Sequence, residues 1–385
     1  MVTFNIYDTI SKINNEFKPL DEKNVTMYVC GPTVYGRVHI GNGRSVVVFD
    51  VLFRVLRFIY GERCVKYARN ITDVDDKIID AAIKRNISEQ ELATEMTEYF
   101  HQDCDYLNCL KPTFEPMVTK EIPDIVSIIQ RIIDNGHAYI NEGNVMFSVD
   151  SFKEYGKLSN RKIETNKQNI RIGEKEYKLN QDDFLLWKKT DKGVSWDSPW
   201  GRGRPGWHIE CSAMSNKYLG ENFDIHGGGV DLKFPHHENE IAQSKCAFKG
   251  SQFAKYWMHN GFLMIDGQKM SKSLGNFITI NNIREQGVDG NVLRLALLTT
   301  HYRKPMNFST KLLSDSKKMY NKFCKMEFSE QEYRDVNIDI QRDLSSLLND
   351  LNTTAYIGYI NTLYNKKQYA LVCKMLELIG INLTK

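Results

Sequence analysis

The chain has 385 residues and a mass of 44.6 kDa, which at about 100–200 residues per domain implies two or three domains. Hydrophobic residues make up 42% and charged residues 26%, enough to bury a large core, and no run of about 18 apolar residues exists to cross a membrane. With 51 basic and 48 acidic residues the net charge is +3, which excludes a histone-like polycation but leaves room for a local nucleic-acid patch.

Residues 1–10 have neither a basic patch nor an apolar stretch, so a secretory signal is not expected. Eight cysteines in such a chain point to a reducing, cytoplasmic setting, where clustered thiols are more often metal ligands than disulfides.

Residues 25–30 (V-T-M-Y-V-C) read as a strand that breaks at Gly31-Pro32. An apolar-periodic helix is expected over 41–60, stopped by Gly61, and a second strand over 64–69. Strand, glycine-containing loop, helix and strand make a βαβ unit, hence a parallel sheet with helices on its faces. Ligands of such sheets bind beyond the carboxyl ends of the strands, which marks the loop 30–42 as the candidate site.

Ser88 and Glu91 form a capping box that opens a helix running to about Leu107. Residues 108–205 read as an insertion, with a helix at 122–134, strands at 138–140 and 145–149, and a charged irregular stretch at 153–178. A helix at 209–218, a strand at 223–226 entering three glycines, and a helix at 236–248 complete a doubly wound sheet. After about Val292 the expectation is all-helical: 292–299, 310–328, 339–364 and 368–379. Residues 301–385 carry 13 basic and 9 acidic residues, and the excess lies in 301–330. That stretch is a candidate phosphate-backbone contact, because Lys/Arg clusters gain affinity by releasing counterions.

Four groups of residues carry chemistry. His39-Ile40-Gly41-Asn42 lies where a loop enters a helix, so glycine allows close approach to phosphate and the helix start supplies N–H groups. A neutral His39 imidazole can donate to a developing phosphoryl charge. Lys269-Met270-Ser271-Lys272-Ser273 offers two ammonium groups for a triphosphate and departing pyrophosphate, and no P-loop is present to do this work instead. Asp224-Ile225-His226-Gly227-Gly228-Gly229 is either a flexible loop or a backbone lying against a nucleotide.

The fourth group is a possible zinc set. His236 and Glu240 are four residues apart on one predicted helix face; Cys30 ends the first strand, and Cys211 lies near a helix start. His237 and the pair His208 with Cys211 compete for the same role, although His237 has Ile241 four residues on.

These segments resemble cysteinyl-tRNA synthetases: Y-V-C-G-P-T-V-Y-G-R-V-H-I-G-N-G-R-S, R-N-I-T-D-V-D-D-K-I, G-W-H-I-E-C-S-A-M-S, D-I-H-G-G-G-V-D-L with F-P-H-H-E-N-E-I-A-Q-S, and K-M-S-K-S-L-G-N. The resemblance spans about residues 20–310. It implies a class I fold: a Rossmann-type doubly wound parallel α/β sheet in two halves (1–107 and 206–300), an inserted connective domain (108–205), and a helical C-terminal region (301–385).

The implied reaction is ATP-dependent activation of cysteine to cysteinyl-adenylate, then transfer to the 3′ end of tRNA-Cys, by a monomer using Mg²⁺ with ATP. By position, the implied zinc ligands are Cys30, Cys211, His236 and Glu240. His39, Lys269 and Lys272 are implied catalytic residues. Pro32, Thr33, His39, Gly41, Asn42, His226, Gly227, Gly228 and Lys272 are implied at ATP, and Cys30, Gly31, Thr33 and Trp207 at the amino acid. Many members read H-I-G-H where this chain has Asn42.

Zinc has a physical reason. Cysteine differs from serine by S for O, and apolar pockets separate such near-isosteres by only about 1–3 kcal/mol. Borderline-soft Zn²⁺ prefers a thiolate and lowers the thiol pKa. Members of the family usually continue into a small anticodon-binding domain; the expectation here is that this module is absent or that the C-terminal helices do its work. Two other readings fit parts of the pattern: a cysteine ligase acting on an amino-sugar, and a non-catalytic synthetase paralogue.

Overall fold

The structure, a computed structural model, describes residues 2–161, 178–270 and 276–383. Most of the charged stretch 153–178 therefore lies outside the described residues, as do Ser271, Lys272 and Ser273. The chain opens with a hairpin, β1 (Asn5–Asp8) and β2 (Ile13–Glu16), and enters β3 (Val25–Val29), all five residues of which are buried. The helix α1 (Ile40–Tyr60) follows. It starts at the N-cap His39 and ends at Gly61, whose φ of 93° suits a residue without Cβ and whose N–H closes on the Arg57 carbonyl. Next come β4 (Val65–Arg69), α2 (Asp76–Arg85) and α3 (Glu89–Tyr106), which opens on the anticipated Ser88/Glu91 capping box.

The second part holds α4 (Ile122–Asp134) and an antiparallel sheet of β5 (Ala138–Asn141), β6 (Asn144–Phe147), β7 (Phe184–Lys189) and β8 (Gly203–Pro205). After it come α5 (Trp207–Leu219), β9 (Asn222–Gly229), α6 (Glu238–Ala247) and β10 (Phe253–Asn260). The central sheet is parallel in the order β10-β9-β3-β4, with Tyr28 beside His226 and Val29 beside Gly227. Its strands are buried on both faces, as expected of a sheet covered twice, with Asp224, His226 and His259 among the polar residues taken inside.

A small sheet, β11 (Leu263–Ile265), β12 (Gln268–Lys269) and later β13 (Met306–Phe308), leads from β10 toward the C-terminal helices. These are α7 (Ile280–Glu285), α8 (Gly290–Leu298), α9 (Thr310–Phe323), α10 (Glu330–Asp335), α11 (Ile340–Asp343), α12 (Thr353–Asn365) and α13 (Tyr369–Leu378).

Several expectations are corrected. The three glycines after residue 226 form no loop: they complete β9, so the strand runs to Gly229. His236 belongs to an irregular turn, Lys233–His237, and α6 starts only at Glu238. The region after Val292 is not all-helical, because β13 pairs with β11. The helix expected over 339–364 is broken: Asp350 and Leu351 take positive φ of 59° and 48°. Tertiary contacts explain the break. The buried Asp350 carboxylate accepts from the Tyr7 backbone N–H (2.9 Å), the Tyr302 hydroxyl (2.6 Å) and Arg303 Nε (2.6 Å). No described helix is long and apolar enough to cross a membrane.

Candidate active site and metal centre

A cavity of about 400 Å³ opens beyond the carboxyl ends of β3 and β9. Its wall brings together Cys30, Gly31, Pro32, Thr33, His39, Gly41, Asn42 and Trp207 with Gly229, Asn260, Phe262 and Met270. Two wider surface grooves, of 790 and 690 Å³, lie against the C-terminal helices; they hold none of the residues predicted at ATP, cysteine or zinc, although Arg303 and Lys304 of the basic stretch line the first.

Backbone proximity sets the first turn of this wall. A Cβ on Gly31 would lie 1.6 Å from the Asn70 carbonyl oxygen, and the Gly31 N–H donates to Asn70 Oδ1 at 2.8 Å. His39 caps α1, with Nδ1 accepting the Asn42 N–H at 3.2 Å. That acceptance puts the proton of the neutral ring on Nε2, the donor form proposed from the sequence. The His39 ring meets Phe277 edge-on at 5.3 Å.

At the other end, Cys30, Cys211, His236 and Glu240 place one donor atom each within 4.8 Å of one another. Glu240 divides its oxygens. Oε1 faces Cys30 Sγ (3.3 Å) and His236 Nε2 (3.1 Å), while Oε2 takes His226 Nε2 (2.7 Å). His236 Nδ1 pairs with His208 Nδ1 at 2.9 Å, which orients the ring and leaves Nε2 toward the group. Trp207 stacks on His236 with centroids 4.3 Å apart.

A second set, Cys30, His226, His237 and Glu240, satisfies the same distance condition. His237 Nε2 lies 3.4 Å from Cys30 Sγ, and its Nδ1 is 2.8 Å from His259 Nε2; His259 Nδ1 is 2.8 Å from the Thr9 hydroxyl.

Burial sets the protonation of this group. It pushes Cys30 well above the usual thiol range, with Cys211 and Glu240 adding to the effect, and it raises Cys211. It holds His236 down at about 3 and His237 well below its usual value, so both rings are neutral. Burial also works to raise Glu240, but His226 and His236 outweigh it and keep the carboxyl below its usual value. Two neutral rings, a carboxylate and two thiols suit a cation, whose charge favours the thiolate form that burial and the neighbouring carboxylate oppose.

Not every predicted residue reaches the cavity. His226 is fully buried between Glu240 and the Trp257 ring, 4.4 Å away. Gly227 faces Phe49 of α1, which a Cβ would approach to 2.3 Å, and Gly228 faces the His237 ring. Helix packing and the histidine cluster thus account for these two glycines, and Gly229 supplies the cavity wall instead. Lys269 lies in β12 opposite Met264, and Lys272 lies outside the described residues.

Of the basic stretch, Arg303 is engaged by Asp350 and Lys322 by Asn361 Oδ1 (3.0 Å), while Lys317, Lys318 and Lys325 are exposed. Sequence reasoning set His237 aside because it assumed one regular helix; the irregular turn at 233–237 brings that ring to Cys30. Asn70 and His259 were missed, and His208, anticipated as a competing ligand, stands instead behind His236. The run R-N-I-T-D was the available signal for Asn70.

The solved structures that this chain resembles share its architecture. They include methionyl-tRNA synthetase of Mycobacterium tuberculosis in complex with methionyl-adenylate, at TM-score 0.63 and 14% identity over 93% of this chain and 90% of that one. A putative arginyl-tRNA synthetase from Campylobacter jejuni follows at TM-score 0.57, 14% identity, and 96% and 95% coverage. The fold is that of a class I aminoacyl-tRNA synthetase.

Curated relatives narrow the class. A cysteine–tRNA ligase of Rickettsia africae is 50% identical over 365 residues, 94% of this chain and 79% of the relative. One from Wolbachia pipientis is 49% identical over 364 residues, covering 92% and 77%. The family described as tRNA synthetases class I (C) catalytic domain matches residues 16–318, and the chain belongs to it.

Proposed function

We propose that the cavity activates cysteine with ATP, and that the activated residue passes from it to tRNA. The chain is an enzyme of the cysteine–tRNA ligase type. One observation carries the assignment of the site: Cys30 is both a member of the donor group and a wall of the cavity that His39, Gly41 and Asn42 also line. The thiol-selecting and nucleotide-binding ends are therefore ends of one space.

The donors fit zinc. Two sulfurs, an imidazole nitrogen and a carboxylate oxygen are of the types a tetrahedral Zn²⁺ takes, and their mutual distances allow one ion. We assign Cys30, Cys211, His236 and Glu240 as ligands because Glu240 Oε1 faces Cys30 and His236, whereas Oε2 is occupied by His226. When bound, zinc supplies a soft centre that takes a thiolate in preference to a hydroxyl.

The chain's own residues do the rest. His208 and His226 orient His236 and Glu240, and Trp207 covers His236. His39, with its proton on Nε2, donates to the phosphate where charge develops; Gly41 brings a backbone N–H near it, and Asn42, whose own N–H is held by His39, offers its side-chain amide. No side chain acts as nucleophile, since the cysteine carboxylate attacks the α-phosphate, so positioning and charge stabilisation dominate. Lys269 and Lys272 are proposed at the phosphates, Mg²⁺ with the ATP, and the exposed lysines 317, 318 and 325 at the tRNA backbone.

The test is charging of a tRNA-Cys transcript with labelled cysteine, beside a transcript with a changed anticodon, and ATP–pyrophosphate exchange with cysteine and with serine. Charging, together with exchange confined to cysteine, is expected. Exchange without charging would transfer the reading to a small-molecule cysteine ligase. A zinc-depleted but folded sample that still activates cysteine normally would overturn the role given to the metal.

A further inference from the structure

One fully buried cation has no part in the chemistry above. Arg44 lies on α1 two residues after Asn42 and is 0% exposed. Its Nη1 donates to the carbonyls of Gly261 (2.8 Å) and Phe262 (3.1 Å), and its Nη2 to those of His301 (3.1 Å) and Lys304 (2.9 Å). Its Nε has no partner, and no carboxylate among the described residues pairs with it. Burial alone lowers its pKa, to about 10, so the guanidinium stays charged at neutral pH. A buried cation without an anion costs several kcal/mol unless hydrogen bonds replace its water, and here four carbonyl dipoles do so.

The two carbonyl pairs come from different turns. Gly261 and Phe262 sit immediately before β11, and His301 and Lys304 precede β13, its parallel partner. The turns meet so closely that a Cβ on Gly261 would lie 2.6 Å from the Lys304 carbonyl oxygen. Four oxygens crowded together repel one another, and the flat guanidinium fork bridges both pairs at once. Gly261, Phe262 and Leu263 form one part of the cavity wall, and His39, Gly41 and Asn42, at the start of the helix that carries Arg44, form another.

We propose that Arg44 is a positioning residue that fixes the separation of these two parts of the wall, and so the geometry of ATP in the activation step. This rests on the reading of that end of the cavity as the nucleotide side. The thiol end is built from the end of β3, α5, the turn before α6 and α6 itself, none of which Arg44 contacts through a hydrogen bond.

The experiment is ATP–pyrophosphate exchange on Arg44→Lys, Arg44→Ala and, as a control, His39→Ala, with ATP and cysteine varied separately and the folded fraction followed by circular dichroism. Lysine offers one point charge and cannot span both carbonyl pairs. For Arg44→Lys we expect kcat/KM for ATP to fall about 10- to 100-fold, with KM for cysteine within about twofold of native. Millimolar guanidinium should restore part of the loss in Arg44→Ala and leave the native enzyme unchanged. Equal loss in the ATP and cysteine parameters, or loss that only tracks the unfolded fraction, would overturn the proposal. An unchanged ATP dependence in His39→Ala would instead overturn the reading of the nucleotide side; a defect there with a normal Arg44→Lys would sink the Arg44 role alone.

Discussion

The two ends of the cavity are held in shape by opposite means. At the thiol end every donor is a side chain, and the rings and the carboxylate are aimed by other side chains: His236 by His208, Glu240 by His226, His237 by His259. At the nucleotide end the wall is mostly backbone: a capped helix start, and turns whose carbonyls converge on Arg44. Selecting sulfur over oxygen needs donors locked within a few tenths of an ångström, which buried ring networks provide. Positioning a triphosphate needs N–H groups at a set spacing, which main chain provides. Substitutions should therefore damage the first end through identity and the second through distance.

The largest effect should come from identity. Cys211→Ala removes a sulfur from the group, and cysteine activation should fall at least ~10⁴-fold, the scale on which a site rejects a ligand whose specific partner is missing. Measured exchange rates with cysteine and serine check this, and a residual preference for cysteine as large as native would refute it.

Next, His39→Ala should lower kcat for activation ~10²–10³-fold with little change in cysteine binding, as for loss of one donor to a developing charge. His208→Ala leaves the four ligands in place but frees the His236 ring, so zinc affinity should fall ~10- to 100-fold in a chelator competition.

The smallest effect concerns Asp103, near the cavity mouth. Burial raises its carboxyl to about 6, against the nearby Arg37, which lowers it, and Oδ2 has no hydrogen-bond partner. A carboxyl raised on folding binds its proton more tightly in the fold than in the unfolded chain. Its contribution is therefore complete below about pH 4 and lost as the pH rises through about 6, costing ~1–2 kcal/mol after screening. Urea denaturation between pH 4 and 7 should show this decline in the native protein and a flatter profile in Asp103→Asn.

How much of this was readable depends on where the determining forces lie. The α1 and α4 helices and the capping box before α3 were legible because periodicity and caps are local. The strand β10 was not, since its Lys255, His259 and Asn260 break any simple pattern; Lys255 and His259 are explained only by partners far away in sequence. The break at Asp350 carries no glycine or proline and exists because a carboxylate is needed between distant segments. The donor group was legible as a set of residue types, but the place of His237 depended on an irregular turn that no spacing rule contains. Of the glycines after His226, Gly227 and Gly228 make room for Phe49 and His237, contacts from distant segments that no local pattern announces.

The carboxylate of Asp350 also makes the front of the chain part of the back. It accepts the backbone N–H of Tyr7 through Oδ1 while holding Tyr302 and Arg303, and β1 lies against it through the Asn5–Asn349 bridge. The C-terminal helices are thus keyed to the central sheet by the opening hairpin. A fusion partner or affinity tag that disturbs the first eight residues would register as a loosening some 340 positions later, visible as faster amide exchange at the start of α12 while α1 stays protected.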